Sequence, residues 1–416
     1  MSDGIPLQSL PPVFQDFIQT AKGLYVRYVW IDALCIIQDS ETDWQREAAK
    51  MAEIYGNSFL TVAAAGSASP YDGIFAPRHA SFNVAGVQCD VVHHFPNGPI
   101  APAFPLLKRA WCYQERILAP RVLYYGPTEI SWECRRSQAC QCGSPFREYT
   151  RISLRALFEF CQTATTADAK ARDRFWQKII MQYSLLSFTK ESDRLPALAG
   201  LIDYVKTISQ DFLAGLRRDA LVTDMLWYRR YPATTRERNQ AGAAVWRAPS
   251  WSWAAIPGPV TYENLEYPKV LDAKCVHEGH SKTGRLVSGK VKLRCQTLTG
   301  KLIKAGSLDG PSEGWEHRPW DRPGSKLEIY IQNRAAEVYL DCCEDALLGL
   351  EVFVVRMATL AGRDQLLVLK KSEEAGESYI RIGYVDRSVT RRGPVVWDRL
   401  KKSWVWAKET RDITII

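Results

Sequence analysis

The chain has 416 residues, of which 46% are hydrophobic, 24% charged and 11% aromatic, with a formal net charge of +8. That length supports about two or three domains with sizeable cores, and the balanced composition excludes low-complexity disorder on a large scale. A charge of +8 spread over the whole chain is not the concentrated basic face of a polyanion binder, so no nucleic-acid partner is expected.

Residues 1–12 lack the basic start and apolar run of a secretory signal. The apolar runs at 59–65 and 346–360 are too short, or are interrupted by Glu351 and Arg356, so no membrane span is expected. The 11 cysteines form an odd count without framework spacing. Reduced thiols follow, which places the expected location in the cytoplasm, with the nucleus left open.

In chain order, Val13, Phe17, Ile18 and Ala21 recur at helical spacing behind Pro11 and Pro12, which predicts a helix with proline in its first turn. Val26, Tyr28, Val29, Trp30 and Ile31 then form a nearly continuous apolar run over 25–32. This is the pattern of a strand buried on both faces of a parallel sheet. Asp32 would close its carboxyl end, the edge where open α/β sheets bind ligands. Trp44, Ala48, Met51 and Tyr55 predict a helix with Asp43 as N-cap and Gly56-Asn57 as stop, and residues 58–64 read as the next strand. Residues 65–105, rich in Gly, Pro and Ser, read mostly as loop with a strand near 84–92.

A further helix over 108–119 stops at Pro120 and feeds straight into a strand over 122–125, closed by Gly126-Pro127. Trp111, Glu115 and Leu118 share one stripe of that helix, apolar except for Glu115. A carboxylate on a packing face must be paired, hydrogen-bonded or raised in pKa. Two readings stay open: a structural Glu115 bonded to backbone, Arg116 or Arg121, and a functional one. Helix–strand alternation over roughly the first 140 residues predicts an α/β doubly wound parallel sheet.

From 146 to 238 the pattern turns helical, with stripes through Phe158, Phe175, Trp176, Ile179, Ile180, Tyr183 and Leu186. The arginines between 217 and 238 read as a solvated face. Beyond Trp246, runs at 291–295, 327–331, 337–340, 350–357, 366–369 and 379–385 predict a β-rich region. Residues 305–323 read as loop. The tail from 391 to 411 interleaves Trp397, Trp404 and Trp406 with Lys and Arg, and reads as strand-edge packing with snorkelling basic chains. The expected domains are 1–145 (α/β), 146–245 (helical) and 246–416 (β-rich).

Cys134, Cys140 and Cys142 lack the paired gaps of zinc ribbons, and Cys275, His277 and His280 lack a matching partner motif, so no metal site is expected. A cysteine nucleophile at Cys35 or Cys112 would need a base, and His79, His93 and His94 cannot be tied to either from sequence. Neither a Walker loop nor a Rossmann glycine fingerprint is present.

Several collinear segments resemble the fungal heterokaryon-incompatibility (HET) domain. They are Tyr28-Val-Trp-Ile-Asp-Ala-Leu-Cys-Ile-Ile-Gln38, Asp43-Trp44, Met51, Ile54-Tyr55, Leu60-Thr-Val-Ala63, Gly73-Ile-Phe75, Arg109-Ala-Trp-Cys-Tyr-Gln-Glu-Arg-Ile-Leu-Ala-Pro-Arg121 and Trp132-Glu-Cys134. The likeness covers roughly residues 5–145. Asp193-Arg-Leu-Pro-Ala-Leu-Ala-Gly200 and Ala248-Pro-Ser-Trp-Ser-Trp-Ala254 are similar to segments that follow this domain in fungal members.

The resemblance implies nonself recognition and the programmed cell death that follows fusion of incompatible strains. It also implies a TIR-like, flavodoxin-like sheet, and many TIR domains cleave NAD with a glutamate in a Trp-Cys-x-x-Glu helix. Trp111-Cys112-Tyr113-Gln114-Glu115 has that spacing. Glu115 is thus the implied catalytic residue and NAD the implied substrate, with Asp32 and Trp111 as nucleotide contacts and no other cofactor. Implied partners are a second copy, through the HET domain, or another incompatibility protein. Family members open with a strand block of the form Ser-Tyr-x-Trp-Gly, expected ahead of residues 7–12, and this sequence starts after it. Either the gene start lies upstream, or the domain is degenerate and the chain is a non-catalytic interaction or regulatory protein. An accessory protein of a metabolic pathway is the third alternative.

Overall fold

The computed structural model describes residues 4–75, 80–84, 87–91, 103–143, 152–229, 246–262, 269–278, 285–304, 327–331, 334–341, 347–360, 363–373, 378–386 and 410–416. The chain divides into two compact units, Met1–Arg172 with Lys178–Gln210, and Asp173–Gln177 with Asp211–Ile416.

In chain order, the N-terminal part contains α1 (Pro12–Gly23), α2 (Asp32–Cys35), α3 (Glu41–Gly56), β1 (Thr61–Ala63), the hairpin β2 (Ala80–Val84) and β3 (Val87–Val91), α4 (Trp111–Leu118), β4 (Arg121–Tyr125), β5 (Ile130–Cys134) and β6 (Gln138–Cys140). The helices α5 (Leu154–Thr163), α6 (Ala169–Tyr183) and α7 (Pro196–Tyr204) follow. The expected α/β class and helical middle are borne out. The sheet runs β1-β4-β5-β6 and is mixed: β1 pairs parallel with β4, whereas β4–β5 and β5–β6 are antiparallel. Its apolar face is built from Ala63, Ala119, Val122 and Tyr124 packed with Phe104 and Leu154.

Proline opens α1, where its missing N–H costs no helical bond. At α3 the cap is Ser40, three residues before the expected one; its Oγ accepts the Asp43 N–H at 3.2 Å. Asp43 lies inside the first turn and accepts the Ile37 N–H at 2.9 Å. The expected strand over 25–32 also differs. Residues 26–31 join no strand pair among the described residues, Tyr25 holds a left-handed φ of 58° and Tyr28 is 83% exposed. A strand buried on both faces needs a neighbour on each edge, and among the described residues β1 pairs only with β4. The continuous apolar run therefore lines a cavity instead of filling a sheet.

Three segments far apart in sequence meet where α7 packs on α3 and α4. The Trp44 ring stands edge-on to Trp111 at 5.8 Å, and the Trp111 indole N–H donates to Asp193 at 3.2 Å. Gly200 lies so close to α3 that a Cβ there would collide with the Ala52 methyl and come within 2.9 Å of Gln114 Oε1.

The second unit begins with β7 (Phe212–Leu213) and β8 (Leu216–Arg217), joined through Ala214 and Gly215 at φ 50° and 79°, and continues with α8 (Leu221–Asp224). Its strands are β9 (Lys269–His277), β10 (Leu286–Cys295), β11 (Thr297–Lys304), β12 (Leu327–Ile331), β13 (Arg334–Glu337), β14 (Tyr339–Leu340), β15 (Glu351–Leu360), β16 (Arg363–Lys371), β17 (Ser378–Asp386) and β18 (Arg411–Ile415). They form one sheet in the order β13-β12-β11-β15-β16-β17-β18-β10-β9, with β14 beside β17. Every pair is antiparallel except β17–β18. This bears out the β-rich expectation.

Buried Arg381 organises the unit. It pairs with Asp341 at 3.1 Å, donates to the Met225 and Trp227 carbonyls, and stacks on the Trp227 ring at 3.4 Å. Trp251 and Trp253, from the Ser-Trp-Ser-Trp segment, are fully buried beside it in the same unit's core. The expected loop over 305–323 and the tail tryptophans Trp397, Trp404 and Trp406 lie outside the described residues.

Gly200→Ala is expected to lower stability by about 1–3 kcal/mol, because α3 must move to admit the methyl. Chemical denaturation of both proteins measures it, and an unchanged midpoint would show that α3 and α7 can separate at no cost.

Candidate functional site

The helix α4 begins directly after Arg109-Ala110 and stops just ahead of Pro120, so its eight residues make about two turns. Its Arg116 guanidinium reaches Glu133 at 3.4 Å. Cys112 and Glu115, one turn apart, and Arg116 itself all line a cavity of about 610 Å³. Asp32, the first residue of α2, Tyr55 from the last turn of α3, and Arg109 join them in its lining. Residues 26–31 and the edge of β1 form apolar walls.

Glu115 is half-buried, with its carboxylate enclosed by these groups. Enclosure first, and then the Asp32 carboxylate, push its pKa up to about 7, while Arg109 and hydrogen bonds from Cys112 and Tyr55 pull it down. Tyr55 is raised as well, by burial and then by Glu115. The buried Cys112 thiol is pushed well up by burial and by Glu115. Tyr55 and Cys112 therefore remain protonated, as O–H and S–H donors to Glu115. A protonated thiol is no nucleophile, so the Cys112 hydrolase reading loses its basis. Cys35 is exposed, and His79, His93 and His94 lie among residues whose side chains are not described.

The cations that a structural Glu115 would use are engaged elsewhere. Arg116 is bound to Glu133, and Arg121 donates to the Phe59 carbonyl at 3.0 Å. The cavity lining holds two carboxylates, Glu115 and Asp32, with Arg109 and the Glu133-bound Arg116. Asp32 and Arg109 are exposed and stand on its open side. Such a site can hold a polar, partly cationic ligand by its carboxylates and an anionic group by its arginine.

Of the expected site residues, the structure brings Glu115 and Asp32 together, although Asp32 starts a helix instead of ending a strand. Trp111 does not join them; it is taken up by Trp44 and Asp193. Tyr55, which helical periodicity places on the α3 stripe, and Arg109 and Cys112, which it does not select, join Glu115 and Asp32 in the lining. The one-turn spacing of Cys112 and Glu115 and the HET-like segments that contain Tyr55, Arg109 and Cys112 are the sequence signals that tie them to the carboxylate. Cys275 and His277 lie on β9, and His280 is outside the described residues.

Residues 2–115 match the model of the family described as heterokaryon incompatibility protein (HET). No curated protein and no solved structure matches the chain. Among the described residues no helix is long and apolar enough to cross a membrane.

A raised carboxyl pKa stabilises the native state fully below the unfolded value of 4.5, and that contribution is lost as pH rises through about 7. Glu115→Gln mimics the neutral acid. Its thermal midpoint is expected to gain on the wild type between about pH 5 and about pH 8. A difference that stays constant across that range would mean Glu115 ionises normally.

Proposed function

From the match of residues 2–115 to the HET family model, we propose that this chain acts in fungal nonself recognition and cell death by cleaving the nicotinamide–ribose bond of NAD. The observation that carries this reading is the position of Glu115: it faces a nucleotide-sized cavity and neither neighbouring arginine neutralises it. Nicotinamide departs from a cationic ring as a neutral molecule and needs little acid help. The chemical demand is for negative charge beside the ribose as it becomes oxocarbenium-like. Glu115 supplies it. Asp32 adds a second carboxylate at the open side, and Arg109 meets the pyrophosphate. Water then adds to the ribose carbon, giving ADP-ribose and one proton.

Glu115 must be ionised to do this, so activity is expected to rise through about pH 7 and to fall about tenfold per unit below it. Purified protein is expected to release nicotinamide from NAD, and Glu115→Gln to abolish the release. Wild-type inactivity under conditions that promote assembly would remove the enzymatic reading.

A second reading, self-association without catalysis, is supported by the cavity's rim. Leu24, Tyr28 and Phe59 are large, apolar and exposed there, and the backbone of residues 27–30 has no hydrogen-bond partner among the described residues. In that case Tyr28→Asp is expected to shift the light-scattering mass to monomer. Glu115→Ala would then lower the melting temperature and leave assembly and cell death intact.

A further inference from the structure

A second cluster lies outside the cavity lining, where the turn between β4 and β5 meets the end of β6. The turn is closed by the Gly126 N–H donating to the Glu129 carbonyl at 3.0 Å. The ladder continues past β6, because the Gln141 N–H donates to the Ile130 carbonyl at 2.9 Å and the Cys142 N–H to Glu129 Oε2 at 3.3 Å. Residues 141 and 142 form a turn, which brings the Cys142 sulfur back beside Cys140 and Glu129. Gly143, at φ 72°, then turns the chain, its N–H bonded to the Cys140 carbonyl at 3.0 Å.

One carboxylate oxygen and the two sulfurs all lie within 4.8 Å of one another. The sulfurs themselves are 2.9 Å apart. Glu129 is buried and Cys142 exposed, so the cluster has a fixed inner anchor and an open outer side.

Two thiols and a carboxylate form a mixed sulfur–oxygen set. Magnesium and calcium take all-oxygen shells, while zinc accepts both atom types in a tetrahedron. At a Zn–S distance of about 2.3 Å, tetrahedral sulfurs stand about 3.7 Å apart, so binding asks Cys140 and Cys142 to separate by under about 1 Å. Cys134, which the sequence groups with these two, is not part of the set; its sulfur is engaged by Ser137 and the Arg136 N–H.

We propose that Glu129, Cys140 and Cys142 bind one Zn²⁺ as a clip that ties the β4–β5 turn to the end of β6, with water in the fourth position. Binding displaces the two thiol protons to solvent, so affinity falls as pH falls.

The full chain, purified under reductant and stripped with chelator, is titrated with Zn²⁺ against a chromophoric chelator and separately with Co²⁺. The expected result is about one equivalent of Zn²⁺ and a thiolate-to-cobalt charge-transfer band. The double variant C140S/C142S is expected to lose both, with an unchanged far-ultraviolet circular dichroism spectrum. C142S, which keeps one sulfur, is expected to retain about half the band intensity. E129Q is expected to keep the two-thiolate band and to weaken binding by at least about tenfold. E129Q and C142S carry the test if the double variant misfolds. Three results would overturn the site: no uptake by the reduced wild type, uptake unchanged in C140S/C142S, or a Cys140–Cys142 disulfide that persists under reductant and excludes the metal.

Discussion

The sheet and helices of the first unit depend on one buried carboxylate. Glu133, on β5, accepts the Tyr124 hydroxyl from β4 at 2.7 Å, the Gln138 amide from β6 at 3.0 Å, the backbone N–H of Leu154 at the start of α5 at 3.0 Å, and Arg116 from α4 at 3.4 Å. Three strands and two helices converge on this one charge. A buried ion pair is costly to form and more costly to break, because either partner alone is left charged in a poor solvent. Its saturated hydrogen bonding is what makes the arrangement tolerable, and it fixes the rotation of α4 about its own axis.

That rotation decides the chemistry next door. Consecutive helical residues point about 100° apart, so committing Arg116 to Glu133 aims Glu115 in a different direction within the cavity that both residues line. The arginine adjacent in sequence is then the one that cannot neutralise it. Glu115 is left to Tyr55, Cys112, Asp32 and Arg109, and its raised pKa follows first from burial and then from Asp32, against the lowering effect of the other three. A structural ion pair on one side of a two-turn helix thus creates an electrostatically demanding carboxylate on the other.

Some of this is legible in the sequence. The stop at Pro120, the immediate strand behind it and the odd carboxylate on an apolar stripe all follow from local rules, and the structure has each. What fails does so where local patterns depend on distant partners. Residues 26–31 have the composition of a central strand, but pairing is a property of two chains, and the described sheet supplies no second edge. Trp111 sits on the same stripe as Glu115, yet Trp44 and Asp193 claim it from elements 67 and 82 residues away in opposite directions. Glu133 is noticed in the sequence only as the centre of the HET-like segment Trp132-Glu-Cys134, and nothing local announces its four partners. The Glu129 cluster escapes a search for paired cysteine gaps because its anchor is a carboxylate delivered by a turn.

The two readings of the cavity are connected by the same electrostatics. A partner covering the rim at Leu24, Tyr28 and Phe59 would expel water from the cavity mouth, and loss of water favours the neutral form of a carboxyl group. Covering alone would therefore push Glu115 further toward the protonated state and away from what bond cleavage requires. A cationic nicotinamide ring acts in the opposite sense, since a positive charge beside Glu115 favours its ionised form. In the enzymatic reading, assembly and substrate thus bear on one proton with opposite signs, and the order of events is constrained. Nicotinamide must enter before the mouth closes, so that the carboxylate is sealed in as a charge opposite its substrate and not as an acid facing an empty pocket.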